Sequence, residues 1–530
     1  MLERLIENWL DNASEKTFQL PFCYMLANEG YTILHLTRHC GMEHGKDIIA
    51  VDPDGYTCAF QLKGAPGSKI KLRQWQSTLV GQVQQMIFTP VSHPSATSQD
   101  HHRSFLVTNG EIEEEVLTAI DLMNRDWKSK GQSQYELRTY VRGQLVTMAK
   151  KLGESFIPPE IRDYKSLLEF YLEDGSGTLD KDKFSALIES FFSQKLKPSE
   201  RQRLIASSGL LVTLATSNFS NRQNHVAIIE AWVIYISYLL WYCSKYKIPK
   251  NKWNNEYCIA NQIIWTSCEN ILADVKESKH FLVGNIMEDA FLYKARITWI
   301  VGFLCSLGLY YSISEREKRE VAYILKFVLD NESKFDLWGE SAIPNLLCFY
   351  WLYRINDATQ KPTGILVKLI RSIVKFARNR DSIFPEPYYG IEESISLHFE
   401  KDKEKVREKN QKGVSYFLEG ITHLFVKENY KQMMKALWPD ISRVFFKEFE
   451  FKSNLDFFKW RNGEGKEIMR TPKPIKEWDE LKRESFESRG EIVPDLLKQN
   501  PHLVPIFLVV FPHRSNPSFL RWFDNYITAL

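Results

Sequence analysis

Gly45-Lys46-Asp47-Ile48-Ile49-Ala50-Val51-Asp52-Pro53-Asp54-Gly55-Tyr56-Thr57-Cys58-Ala59-Phe60-Gln61-Leu62-Lys63 is the stretch whose reading decides the fold of the N-terminal part. It reads as two strands joined by a tight turn. Pro53 suits the first central position of a type I turn, and Gly55 suits the left-handed residue that follows. The loop is then three residues, Pro53 to Gly55, closing on a glycine bulge. In that register Asp52 faces Tyr56, Asp47 faces Gln61 and Gly45 faces Lys63. Opposite partners share a face, and so do residues two apart on a strand. Asp47, Gln61 and Lys63 therefore converge at the open end of the hairpin. A slip of one residue would move Asp47 to the other face. Ile48, Ala50, Cys58, Phe60 and Leu62 occupy that other face, and apolar residues on both sides imply two-sided burial.

A carboxylate, an amide oxygen and an ammonium gathered at one point suit Mg²⁺-dependent phosphodiester hydrolysis. Mg²⁺ takes oxygen ligands near octahedral geometry and keeps several waters. Asp47 would give a carboxylate oxygen, Gln61 its amide oxygen and Leu62 its main-chain carbonyl. Mn²⁺ could take the same place. The metal polarises the phosphate and acidifies water, and Lys63 would orient or deprotonate that water and offset negative charge. The alternative is an ordinary hairpin with polar residues at its open end.

Outward from the hairpin, Phe18–Glu29 reads as a helix with Pro21 in its first turn, where proline is tolerated. Tyr31–Leu36 reads as a strand after Gly30. Leu72–Ile87 reads as a helix that places Gln82 and Gln85 on one face. Lys69, Lys71 and Arg73 form a small basic cluster that would meet phosphates. Thr89–Asp100 is a polar loop, Ser104–Val107 a strand, and Asn109 a cap for an acidic helix beginning near Glu111. Tyr135–Val141 and Gln144–Leu152 read as a last strand and a last helix. The order is that of an α/β layer domain over residues 1–156.

With these elements placed, the sequence resembles the restriction-endonuclease-like, or PD-(D/E)xK, superfamily. Within it, the likeness is to the Mrr-type branch and to nuclease domains of bacterial anti-phage effectors, such as those of CBASS and Lamassu systems. The matching residues are Phe18-Gln19, Gly30-Tyr31, Gly45-Lys46-Asp47-Ile48, Gln61-Leu62-Lys63 and Phe105-Leu106-Val107-Thr108, covering roughly residues 15–155. The resemblance implies a mixed sheet flanked by helices and a metal-dependent nuclease, with DNA the more expected substrate than RNA. It implies a role in defence against phage, with a protein partner from a multi-gene system. Gln61 matches a variant common in the Mrr-type branch. Gln19 stands where many members carry a catalytic-helix Glu, and Glu43 is the nearest acidic alternative beside Asp47.

Ile157-Pro158-Pro159 marks the expected boundary, and residues 160–530 read as an all-helical region with a possible subdivision at 400–412. Its expected work is regulation or oligomerisation. Asp174-Gly175-Ser176-Gly177 mimics a calcium loop, but Leu172 and Lys183 stand where its two anchoring carboxylates belong. It reads as a turn between helices. Val226–Cys243 and Ile297–Tyr311 are apolar, but Glu230 interrupts the first and the second is too short to span. Both read as buried helices, and no membrane role is expected.

The chain has 530 residues, 44% hydrophobic and 25% charged, the balance of a globular protein. Its net charge is only +3, so any nucleic-acid surface must be local. The eight cysteines form no C-x-x-C pair, which argues against a zinc ribbon and fits the cytoplasm. No P-loop, G-x-S-x-G or H-E-x-x-H motif is present.

Overall fold

The structure is a computed structural model. It describes all residues except 1–6, 8, 12, 37–44, 92–100, 154–160, 194–195, 278–289, 357–362, 380–381, 401–403, 405, 407–409, 411, 452, 460–464, 473–477 and 488–492. The expected boundary at Ile157-Pro158-Pro159, most of 400–412, and Glu43 lie outside the described residues. The chain divides into two compact units, Met1–Ile263 and Ile264–Leu530.

The first unit opens with α1 (Glu15–Asn28), followed by β1 (Thr32–Leu36), β2 (Ile48–Val51) and β3 (Thr57–Lys63). Then come β4 (Lys69–Ile70), the helix α2 (72–88), β5 (Arg103–Thr108) and β6 (Glu111–Ile112). α3 (Glu114–Ser129), β7 (Leu137–Tyr140) and α4 (Arg142–Gly153) complete the layer. The five-stranded sheet has the order β1-β2-β3-β5-β7. β1-β2-β3 run antiparallel, whereas β3, β5 and β7 are parallel. The sheet is therefore mixed, as expected, and β3 lies at its centre.

Side-chain alternation along β3 divides the core between two faces. Ala59, with Leu106 and Leu137, packs beneath Trp75, Leu79 and Val83 of α2 and Val116 and Ile120 of α3. Phe60 points the other way. It meets Phe22 of α1 edge-on at 5.6 Å between ring centres and stacks on Phe105 at 4.7 Å. Each aromatic ring buried this way contributes about 1.5–3 kcal/mol.

α2 is built from Leu72–Gln74, a π-helical turn over Trp75–Leu79, and Val80–Phe88. Trp75, Leu79 and Val83 recur every four residues, a spacing that drifts round an ordinary α-helix by about 40° per step. The wider π turn absorbs that drift and keeps all three on the core face.

Two local expectations change. α1 begins at Glu15, so Pro21 sits in its second turn rather than its first. Asn109 does not cap α3, which begins at Glu114 after Glu113, because residues 111–112 form β6 beside β4.

Five further helices, α5 (Ile161–Leu172), α6 (Lys181–Phe192), α7 (Pro198–Ala215), α8 (Ser217–Asn221) and α9 (His225–Lys245), belong to the same unit. Gly209 of α7 lies against the ring of Tyr24 on α1, where an added Cβ would come within 2.1 Å. Tyr24 stacks on Trp232 of α9 at 6.3 Å. The α/β layer and these helices thus share a core. The Asp174–Asp180 loop is a turn, as expected. The Asn218 and Asn224 amides donate to the carbonyls of Tyr171, Glu173, Gly175 and Gly177, which holds the turn from the α8 and α9 side.

α10 (Asn254–Glu277) carries the division between the units. The second unit holds α11 (Ala290–Ile313), α12 (Lys318–Asp330), α13 (Ile343–Asn356), α14 (Thr363–Arg378) and α15 (Ile391–Phe399). After β8 (Val414–Ser415) come α16 (Leu418–Lys427), α17 (Lys431–Ile441), β9 (Phe445–Phe451) and β10 (Gly465–Arg470). α18 (Trp478–Phe486), α19 (Asp495–Lys498), α20 (Val504–Val510) and α21 (Pro517–Ala529) close the chain. The expectation of an all-helical C-terminal region is corrected here, because β10, β9 and β8 form a three-stranded sheet. Phe445-Phe446-Lys447-Glu448-Phe449-Glu450-Phe451 alternates only loosely. Its buried Lys447 is held by Glu386 at 2.8 Å and Glu467 at 2.9 Å, so charge sits where a strand reader expects an apolar residue.

α9 and α11 are long and apolar enough to cross a membrane by length and composition, yet 94% and 72% of their most apolar windows are buried within the structure.

Candidate functional site

The register that places the site is the expected one. Ile48 pairs with Phe60, Ala50 with Cys58 and Val51 with Thr57, and the Asp52 N–H donates to the Tyr56 carbonyl at 2.9 Å. Gly55 has φ +86°, and its N–H donates to the Asp52 carbonyl at 3.0 Å. Asp52 then locks the turn with its side chain. Its Oδ1 accepts the Asp54 N–H at 3.1 Å and the Tyr56 N–H at 2.8 Å. Its Oδ2 takes the Arg103 guanidinium, which also lies 4.1 Å from the centre of the Tyr56 ring.

At the open end the ladder changes. The Asp47 N–H donates to the Phe60 carbonyl at 2.8 Å, so Asp47 and Ile48 together oppose Phe60. This bulge bends the chain and aims the Asp47 side chain along β3. Asp47 Oδ2 accepts the Leu62 N–H at 2.7 Å. The N–H and C=O of one strand residue point to the same edge, so the Leu62 carbonyl also faces the edge where Asp47 lies. The bulge alters two expected pairings: Asp47 opposes Phe60 rather than Gln61, and Gly45 lies beside Gln61 rather than opposite Lys63. A Cβ there would stand 3.5 Å from Gln61 Nε2 and 2.8 Å from the Gln82 carbonyl. Its φ of +73° is a second reason for glycine.

Gln61 is 2% exposed. Its Nε2 donates to Gln82 Oε1 on α2 at 3.1 Å. Its Oε1 is buried with no hydrogen-bond partner among the described residues. A buried amide oxygen left without a donor costs about 1–3 kcal/mol, and a cation at that point would remove the cost. Gln82, though exposed like Gln85, therefore belongs to the site by contact.

Gln19 reaches the site differently from a metal ligand. Its Nε2 donates to the main-chain carbonyl of Asp47 at 3.1 Å, which fixes the bulge from the α1 side. One turn earlier stands Glu15. Its Oε2 lies 3.7 Å from Lys63 Nζ and accepts the Gly64 N–H at 3.3 Å. The sequence reading does not single out Glu15. The available signal is its spacing of i, i+4 from Gln19, which puts both on one face of a helix.

Asn109, fully buried, holds these segments together. Its Nδ2 donates to the Leu10 and Ala13 carbonyls at 2.8 and 2.7 Å, and its Oδ1 accepts the Ala65 N–H at 2.9 Å. It thereby ties the approach to α1 to the loop that follows Lys63. Gly64 allows that approach, since a Cβ on it would meet the Glu15 nitrogen at 2.8 Å.

Lys46, beside Asp47, is 4% exposed, and burial pushes its ammonium down to about 8. His102 is also buried. Burial, with Lys46 nearby, holds its imidazole at about 4, and its Nε2 lies 3.0 Å from the Met86 carbonyl. It is a core residue. Lys69, Lys71 and Arg73 are all exposed, at β4 and the start of α2.

The donors here are hard: the Asp47 carboxylate, the Gln61 Oε1, the Leu62 carbonyl and the Glu15 carboxylate. No group of three or more His, Cys, Asp or Glu side chains among the described residues is placed to hold a metal. The donor set suits Mg²⁺, which is bound through one or two carboxylates, waters and substrate phosphates. The chain matches no family model, no curated protein and no solved structure.

Proposed function

We propose that the first unit is a Mg²⁺- or Mn²⁺-dependent nuclease of the restriction-endonuclease-like kind, acting on DNA. The observation that carries this reading is the Gln61 Oε1, a buried oxygen without a donor among the described residues, on the strand whose Leu62 N–H is taken by the Asp47 carboxylate and whose last residue is Lys63. Asp47, Gln61 and the Leu62 carbonyl would hold the metal. When bound, the metal supplies Lewis-acid polarisation of the scissile phosphate and lowers the pKa of a water. Lys63 orients the attacking water and offsets charge developing on the phosphate. Glu15 holds the Lys63 ammonium in place, and Gln19 holds the bulge that aims Asp47. Lys69, Lys71 and Arg73 contact the nucleic-acid backbone, which positions it without reading sequence.

The setting implied by the sequence resemblance is an anti-phage effector in the cytoplasm, with a protein partner or self-association governed by the second unit. The other reading is an inactivated nuclease fold used only for binding, which would cleave nothing under any metal. The test is to incubate the purified chain with supercoiled plasmid and, separately, with single-stranded RNA, in Mg²⁺ or Mn²⁺. Plasmid degradation that EDTA stops is expected. Cleavage that continues in EDTA would sink the metal-dependent reading, and cleavage of RNA alone would move the substrate.

A further inference from the structure

The second unit carries a basic surface that the proposed nuclease site does not use. α14, Thr363-Gly364-Ile365-Leu366-Val367-Lys368-Leu369-Ile370-Arg371-Ser372-Ile373-Val374-Lys375-Phe376-Ala377-Arg378, has four basic residues and no acidic one. Its apolar side is spent on the core, with Ile365, Leu366, Leu369, Ile370, Ile373 and Val374 buried. The basic residues recur at three- and four-residue steps, so they lie along one ridge. Lys368 is already engaged, donating to the Glu332 carbonyl at 3.2 Å. Arg371, Lys375 and Arg378 are exposed and flank a groove of about 500 Å³ between α14 and α17, floored by Ile370, Val374 and Leu437. Arg378 pairs with Asp440 at 2.6 Å. Arg371 and Lys375 have no hydrogen-bond or ion-pair partner among the described residues.

A dipole role explains part of this ridge. Lys375 and Arg378 lie in the last turn, where cations complement the helix C-terminus. Arg371 lies well before that turn and gains nothing from it. In a chain of net charge only +3, a ridge of three cations spanning about 10 Å of helix, with one acid opposite, is a local concentration of charge. It is not a membrane anchor, because the apolar side of α14 is covered and a basic helix at a membrane must present that side.

We propose that the Arg371–Lys375–Arg378 ridge of the second unit binds a nucleic-acid phosphodiester backbone, as a contact additional to the Asp47 site. The complementarity is that of a row of cations to a row of phosphates. Contacts from lysine and arginine to phosphate oxygens position the backbone without reading sequence. The choice of nucleic acid among polyanions rests on the reading of the first unit as a nuclease.

The test uses the full chain carrying Asp47→Ala, in EDTA, with a fluorescent duplex of about 30 base pairs and anisotropy read across a salt series. Arg371→Gln with Lys375→Gln is compared with Lys318→Gln with Lys326→Gln, which removes the same charge from exposed lysines of α12. The ridge variant should weaken binding roughly tenfold or more and lower the salt slope by nearly 2, while the α12 variant stays near the parent. Equal affinity and slope for the two variants overturns the proposal. So does loss by the ridge variant of binding to vesicles of anionic lipid with duplex binding unchanged. Plasmid cleavage in Mg²⁺ is read separately on the chain with Asp47 intact, so a failed ridge and a failed nuclease give different results.

Discussion

Asp47 is aimed by its neighbours more than by its own strand. Its N–H is held by Phe60, its carbonyl by Gln19 and its carboxylate by the Leu62 N–H. Alternation in the sequence brings Asp47, Gln61 and Lys63 to one end of the hairpin; the pairing follows it from Val51–Thr57 to Ile48–Phe60, and beyond Ile48 a bulge sets Asp47 opposite Phe60 rather than Gln61. Alternation cannot reveal Glu15, which arrives from another segment through the packing of Asn109 and Gly64. Nor can it reveal Gln82, whose contact depends on how α2 lies over the sheet. Glu15→Gln should lower the cleavage rate about a hundredfold, the size expected when a charged group beside the chemistry loses its partner. Duplex binding in EDTA should be unchanged, and a matching loss of binding would assign Glu15 to substrate contact instead.

At the scale of elements, the hairpin turn matters as much as Asp47, Gln61 and Lys63, because it sets the register. The pattern Asp-Pro-Asp-Gly signals the turn, but only the structure adds that the Asp52 side chain caps it and pairs with Arg103 on β5. Asp52→Ala removes two backbone caps and leaves Arg103 without that partner. It should destabilise the first unit by about 2–3 kcal/mol, read as a shift of the urea midpoint. Gly64→Ala acts elsewhere. Its Cβ would press on the Glu15 nitrogen, so the start of α1 should move off the end of β3. Activity should fall more than stability, and a variant with full cleavage would show that Glu15 need not be held there. The C-terminal sheet was illegible for a physical reason. β8 has only two residues, and Lys447, which the fold buries, breaks the polar–apolar alternation of β9.

For the whole molecule, packing differs from the division that proline and composition suggest. The α/β layer shares its core with α7 and α9 through Tyr24, Gly209 and Trp232. Gly209→Ala would drive a methyl group into the Tyr24 ring, and overpacking of this kind costs about 1–3 kcal/mol. Each unit also buries a carboxyl. Burial pushes Glu256 in the first and Glu340 in the second up to about 7. An acid whose folded pKa lies above its unfolded value of 4.5 keeps its proton longer when folded, so its contribution to stability declines as pH rises from about 4.5 to 7. Glu340 accepts from the Ser415 hydroxyl and, at 3.0 Å, from the Tyr416 N–H, bonds that an amide oxygen can also accept. Glu340→Gln should therefore gain stability relative to the parent between pH 5 and pH 8 by thermal unfolding, and a relative loss would contradict the assignment.

We propose Asp47, Gln61 and Lys63 as a metal-dependent centre for phosphodiester hydrolysis. Its most direct test is the Mn²⁺-dependent rate of plasmid cleavage by the parent chain, Asp47→Ala and Lys63→Ala, each shown by circular dichroism to be folded. The parent should cleave, and both variants should lose at least about a hundredfold in rate. Cleavage by folded Asp47→Ala at the parent's rate would contradict the proposal.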